Sequence, residues 1–120
     1  MPKKNTPKRS ITSAKKIAQL MLDKKATNVD IIDVRKITSL TDFFVICTSE
    51  SEPQSKAIHN HVKDELAKIG LKPWHSEGFE NLKWVLLDYV DIVVHVFSKE
   101  TREFYEFERL WADAKITRVE

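Results

Sequence analysis

Residues 86–97, Leu86-Leu87-Asp88-Tyr89-Val90-Asp91-Ile92-Val93-Val94-His95-Val96-Phe97, decide how this chain is built. Apolar and β-branched residues on either side of Tyr89-Val90 predict two strands, 82–88 and 91–97, joined by a tight turn. With Tyr89-Val90 as the turn, Asp88 faces Asp91, Leu86 faces Val93, Trp84 faces His95 and Leu82 faces Phe97. Side chains alternate along a strand. One face of the hairpin then carries Val85, Leu87, Ile92, Val94 and Val96, all aliphatic, and should meet the core. The other carries Leu82, Trp84, Leu86, Asp88, Asp91, Val93, His95 and Phe97, a hydrophobic strip with an acidic end. Aromatic anchors beside exposed acids suit a surface that grips another protein. The competing reading puts a helix over this face and makes His95 an internal histidine.

Outward from the hairpin, apolar periodicity sets the other elements. Ala14, Ile17, Ala18, Met21 and Leu22 mark a first helix, capped by Thr12 or Ser13 and ended near Asn28. Residues 29–34 and 42–48 read as strands, the second apolar on both faces and therefore central. Pro53 suits a helix start, Ile58, Val62, Leu66 and Ile69 form its buried stripe, and Gly70 stops it. Residues 71–76 suit a short edge strand, because Pro73 lacks a donor. Ser98 can cap a last helix with Phe104, Phe107 and Trp111 on its apolar face. This order predicts an α+β (α/β) fold, a mixed sheet of about five strands flanked by helices. The divisions expected are a disordered basic arm over 1–11, a single domain over 12–116 and a tail over 117–120.

At 120 residues the chain suits one domain. No apolar run approaches the ~18 residues of a membrane helix. Residues 1–16 lack the apolar core of a secretory signal. The single cysteine, Cys47, lies in an apolar run and reads as a small buried hydrophobe, which fits a reducing compartment such as a bacterial cytoplasm. The net charge of +2 hides an asymmetry. Lys3, Lys4, Lys8, Arg9, Lys15 and Lys16 stand without an acid in the first 16 residues, leaving 14 basic against 18 acidic residues beyond. A basic arm on a mildly acidic body suits contact with nucleic acid phosphates, or only a solvated tail.

Catalytic and metal chemistry find little support. Asp91 and His95 are four residues apart on one strand, about 13 Å at ~3.3 Å per residue, whereas ligands of one zinc ion lie within ~2.2 Å of it. His59 and His61, two apart on a helix, point to different sides. With only Gly70 and Gly78 there is no glycine-rich phosphate loop, and neither GxSxG nor CxxC occurs.

Four motifs occur in order: Ser39 to Ser49 (SLTDFFVICTS), Glu77-Gly78, Trp84 to Phe97 (WVLLDYVDIVVHVF) and Arg102 to Trp111 (REFYEFERLW). Together they resemble the Iojap family of ribosomal silencing factors over about residues 12–114. The resemblance implies a nucleotidyltransferase-like fold, no catalysis and no cofactor. It implies binding to the large ribosomal subunit at the protein conventionally numbered fourteen, on the face that meets the small subunit. Subunit joining would be blocked and translation repressed when nutrients are scarce. An assembly role for the large subunit is the alternative, since organelle relatives act there. From another class, a magnesium-dependent nucleotidyltransferase-like enzyme would use Asp88 and Asp91, but no carboxylate set here holds two ions ~3.5–4 Å apart.

Under this resemblance the contact surface is built around Trp84, with Asp88, Tyr89, Asp91, His95, Phe97, Glu77 and Gly78. The arm residues Lys3, Lys4, Lys8 and Arg9 are candidates for ribosomal RNA, and the apolar strip for a homodimer of the free protein. One departure bears on the hairpin. The family often has Gly where this chain has Val90, and a β-branched residue resists the positive φ of a primed turn, so the pairing stays open.

Overall fold

The computed structural model describes residues 7–120, with side chains from residue 11 onward. Along the chain run α1 (Pro7–Asp23), β1 (Thr27–Asp33), β2 (Phe43–Ser49), α2 (Glu52–Ala67), β3 (His75–Glu77), β4 (Trp84–Asp88), β5 (Ile92–Ser98), α3 (Lys99–Tyr105), α4 (Phe107–Leu110) and β6 (Lys115–Arg118). The six strands form one mixed sheet in the order β3-β4-β5-β2-β1-β6. Only the central pair, β2 and β5, is parallel; the other four pairings are antiparallel. The α+β class therefore stands, with one strand more than expected. β6 was hidden because Lys115-Ile116-Thr117-Arg118 is exposed throughout and has no apolar alternation.

The two faces of the sheet are covered unequally. On one, α1 and α2 bury Ala14, Ile17, Met21, Ile58, Val62 and Leu66 against Val85, Leu87, Ile92, Val94 and Val96. This is the aliphatic face read from the hairpin. On the other, Ile32, Phe44, Ile46 and Phe97 form a smaller aromatic core closed by Phe107, with Trp84, Val93 and Trp111 packed against it. Its roof is only α3 and the four-residue α4.

Several helix limits differ from expectation. α1 begins at Pro7, so Thr12 and Ser13 lie inside it, and the arm read as disordered over 1–11 gives its last five residues to the helix. Lys3 and Lys4 lie outside the described residues, as do the side chains of Lys8 and Arg9. Asn28 does not end α1. It sits in β1 with φ 49°, where the pairing with β2 is irregular between Thr27 and Asp30. α2 is capped as its sequence suggests, with Ser51 Oγ accepting the Gln54 N–H at 3.2 Å. It ends three residues before Gly70, which leaves Ile69 55% exposed. After Ser98, which caps α3, the left-handed Glu106 (φ 48°) breaks the last helix in two. The break turns Phe107 inward and leaves Phe104 78% exposed, so the single apolar face expected for Phe104, Phe107 and Trp111 does not form.

One buried cation ties this roof to the sheet. Arg102 of α3 donates to Asp30 Oδ2 (2.7 Å), Thr48 Oγ1 (2.9 Å), the Asn28 carbonyl and Glu108 Oε2. Arg118 of β6 holds the same Asp30 carboxylate. A buried carboxylate with two guanidinium partners is compensated, and breaking such a set costs far more than an exposed ion pair contributes.

Candidate functional site

The hairpin turn differs by two residues from the pairing expected. Trp84 pairs Phe97, Leu86 pairs His95 and Asp88 pairs Val93, so the turn residues are Val90 and Asp91. A shift of two leaves every side chain on its face, because the strand period is two. The expected faces therefore survive the wrong register within the strands, but Leu82, expected beside Trp84, precedes β4 with φ 60° and is buried in the aliphatic core instead. Tyr89 N–H donates to the Ile92 carbonyl at 2.8 Å, and Asp91 N–H to the Tyr89 carbonyl at 2.9 Å. Val90 takes φ 75° between them. Asp88 Oδ1 accepts the Val90 N–H at 2.8 Å. Asp88 and Asp91 are thus not a facing acidic pair. One carboxylate organises the turn, and the Asp91 carbonyl accepts the N–H groups of Asp42 and Phe43 at the start of β2.

The face opposite α1 and α2 divides into a closed and an open half. In the closed half Phe97 is fully buried and His95 is 4% exposed, so neither forms part of the surface as expected. The His95 ring lies 4.8 Å from Phe107 and 5.2 Å from Phe44 between centroids. Burial pushes its pKa down to about 3, so the imidazole is neutral near pH 7 and offers no charge or acid–base group. The covering helix was the second reading of this face, and it holds for half of it.

The open half centres on Trp84, which is half-buried. Its indole packs on Phe97 at 4.8 Å and Tyr105 at 5.2 Å, and its Nε1–H donates to His95 Nδ1 at 3.0 Å. Glu77 on β3 pairs Leu86 on β4, which places both on the Trp84 face. Beyond them lies a cavity of about 450 Å³, lined by Phe44, Leu86, Asp88, Val93, His95 and Trp111 among others. Leu40 and Trp74 stand at its edge, 82% and 69% exposed. Tyr89 belongs elsewhere: it packs against the aliphatic core on the opposite face, where burial raises its hydroxyl pKa to about 12. Gly78 has a structural role. With φ +84°, a Cβ there would stand 1.9 Å from the Trp84 carbonyl oxygen, so only glycine lets the chain pass the start of β4.

Sequence reading missed Leu40, Trp74 and Tyr105. Each sits in a polar or irregular stretch whose pattern gives no burial signal, and only folding brings Tyr105 onto Trp84 and Leu40 and Trp74 to the edge of the cavity. Among the described residues no group of three or more His, Cys, Asp or Glu side chains is placed to hold a metal ion. Cys47 is fully buried and its thiol pKa is pushed up to about 12, far from a nucleophile.

Residues 7–120 match the family model described as ribosomal silencing factor during starvation. The chain belongs to the RsfS family. Family membership agrees with the four ordered motifs, and it defines the group by silencing of the ribosome rather than by a reaction. The chain is 41% identical over 98 residues to the ribosomal silencing factor RsfS of Halalkalibacterium halodurans, covering 82% of this chain and 84% of that one. It is 33% identical over 107 residues to the chloroplastic protein Iojap of Zea mays, covering 87% of this chain and 45% of that one. A crystal structure of a Chromobacterium violaceum protein superposes with a TM-score of 0.80 at 34% identity, covering 92% of both chains. The fold shared with that structure here carries Trp84 on the sheet face that helices leave half open.

Proposed function

We propose that this RsfS-family chain docks on the large ribosomal subunit at protein fourteen through the open half of the β4–β5 face, and so blocks subunit joining and represses translation. The observation that carries the reading is Trp84. A large aromatic ring, half-buried and braced from beneath by Phe97 and His95, is a preorganised anchor of the kind that dominates protein interfaces. Leu86 and Tyr105 extend the apolar contact. Glu77 and Asp88 border it and favour a basic partner, as the surface of an RNA-bound protein would be. His95, Phe97, Gly78 and the turn act from behind this surface. The compartment that suits this role is the bacterial cytoplasm. We read the sheet as a nucleotidyltransferase-like framework without that chemistry.

Co-sedimentation with isolated large subunits, small subunits and joined ribosomes tests the reading. Binding to free large subunits alone, with loss of joined ribosomes as protein is added, is expected. Trp84→Ala should weaken that binding by about 2 kcal/mol, roughly thirtyfold. Unchanged binding by a folded variant would refute the assignment. The basic residues Lys3, Lys4, Lys8 and Arg9 are proposed to lie on ribosomal RNA. Deleting residues 1–10 should then flatten the salt dependence of binding. Free protein is proposed to self-associate through the same apolar face, so a Trp84→Ala variant should sediment as a monomer.

A further inference from the structure

We infer that His95, although buried, is a positioning residue that holds the Trp84 indole in the orientation its partner meets. The inference rests on the docking reading above. The indole Nε1–H donates to His95 Nδ1 at 3.0 Å. An imidazole nitrogen that accepts carries no proton, so this bond places the ring proton on Nε2. The other ring neighbours of the indole are Phe97, Tyr105 and, more distantly, Phe107, with ring planes at 35°, 51° and 82°. Ring-on-ring packing holds the indole against the sheet but lets it slide and turn, whereas an N–H···N bond is directional. The imidazole is itself fixed among Phe44, Phe97 and Phe107, at 5.2, 5.8 and 4.8 Å between centroids. A rigid core group therefore aligns a half-exposed surface group.

The fold alone supplies no reason for an imidazole at this place. His95 Nε2 is buried and has no hydrogen-bond partner among the described residues, a cost that an aliphatic side chain would not carry. Val94 and Val96 on either side show that the strand accepts such residues. What histidine offers and leucine does not is the acceptor for Trp84.

A double-mutant cycle tests this, using wild type, Trp84→Phe, His95→Leu and the double variant. Affinity for isolated large subunits is measured by co-sedimentation, and stability by unfolding at pH 7. His95→Leu is expected to bind about tenfold more weakly while its unfolding midpoint is not lowered. In the Trp84→Phe background, which has no N–H to orient, the same change should alter binding less than about twofold. An equal loss in both backgrounds, or a loss of binding that merely follows a loss of stability, would overturn the role. A second measurement needs no variant. In uniformly ¹⁵N-labelled wild type, a through-hydrogen-bond coupling between Trp84 Nε1 and His95 Nδ1 is expected, with the proton on Nε2; a proton found on Nδ1 would overturn it. If Trp84→Phe and Trp84→Ala both bind as wild type does, the docking reading itself fails, whatever the coupling shows.

Discussion

Acid should destabilise this protein through His95 before its carboxylates titrate. His95 lies neutral in an aromatic core, and burial pushes its folded pKa down to about 3. In the unfolded chain it should titrate near ~6.5. A folded pKa below the unfolded one means that the unfolded state takes up the proton first. The stability is therefore complete above about pH 6.5 and falls as pH drops toward 3, by about 1.4 kcal/mol per unit. Between pH 7 and pH 5 the loss from His95 alone comes to about 2 kcal/mol, a large share of the ~5–15 kcal/mol that holds a domain together. His59 shifts in the same direction through burial, so wild type alone would not separate the two. The assay is urea unfolding at pH 7 and pH 5, on wild type and on His95→Leu, with unchanged m-values as the condition for comparison. His59 remains in both proteins, and the difference between their pH-dependent losses isolates His95. Wild type should lose about 2 kcal/mol more than the variant. Equal losses would refute the claim that His95 is buried and neutral.

Three further outcomes follow from particular geometries. Val90 at φ 75° pays the steric cost of a left-handed β-branched residue, so Val90→Gly should raise stability by about 1 kcal/mol in urea unfolding, with the pairing of β4 and β5 unchanged by amide exchange. Gly78→Ala should lower stability by about 2 kcal/mol or more, because its Cβ meets backbone at Trp84 rather than a movable side chain; a neutral result would mean β3 and β4 are further apart than described. Arg102→Met leaves Asp30 with Arg118 alone and strips Thr48 and Asn28 of their donor, for a cost of about 3 kcal/mol, whereas Arg118→Met, at a half-exposed site, should cost clearly less in the same unfolding assay.

Much of the architecture was legible because it rests on short periods in the chain. Alternation through residues 85–96 assigned the aliphatic face correctly even though the register was off by two, since a period of two tolerates that error. The Ser98 cap, the start of α2 near Pro53 and the central, doubly buried β2 were legible for similar local reasons. β6 and the break at Glu106 were not. An edge strand of exposed residues carries no pattern, and a non-glycine left-handed residue is stabilised only by the contacts on either side of it.

The candidate site was legible in part. Trp84, Glu77 and Asp88 stand on the open face as expected, whereas Tyr89 faces the opposite core, and His95 and Phe97 lie beneath the surface. By itself the sequence determined the family, the α+β class and the two faces of the central hairpin, because each depends on residue order and local alternation. Only the tertiary structure decided which part of the aromatic face stays open. That depends on how far the short α3–α4 roof, pinned by Arg102, reaches across the sheet, and on side chains from distant parts of the chain, Tyr105 packed on Trp84 and Trp74 at the edge of the neighbouring cavity. Burial is a property of what lies on top of a residue, and no local pattern encodes it.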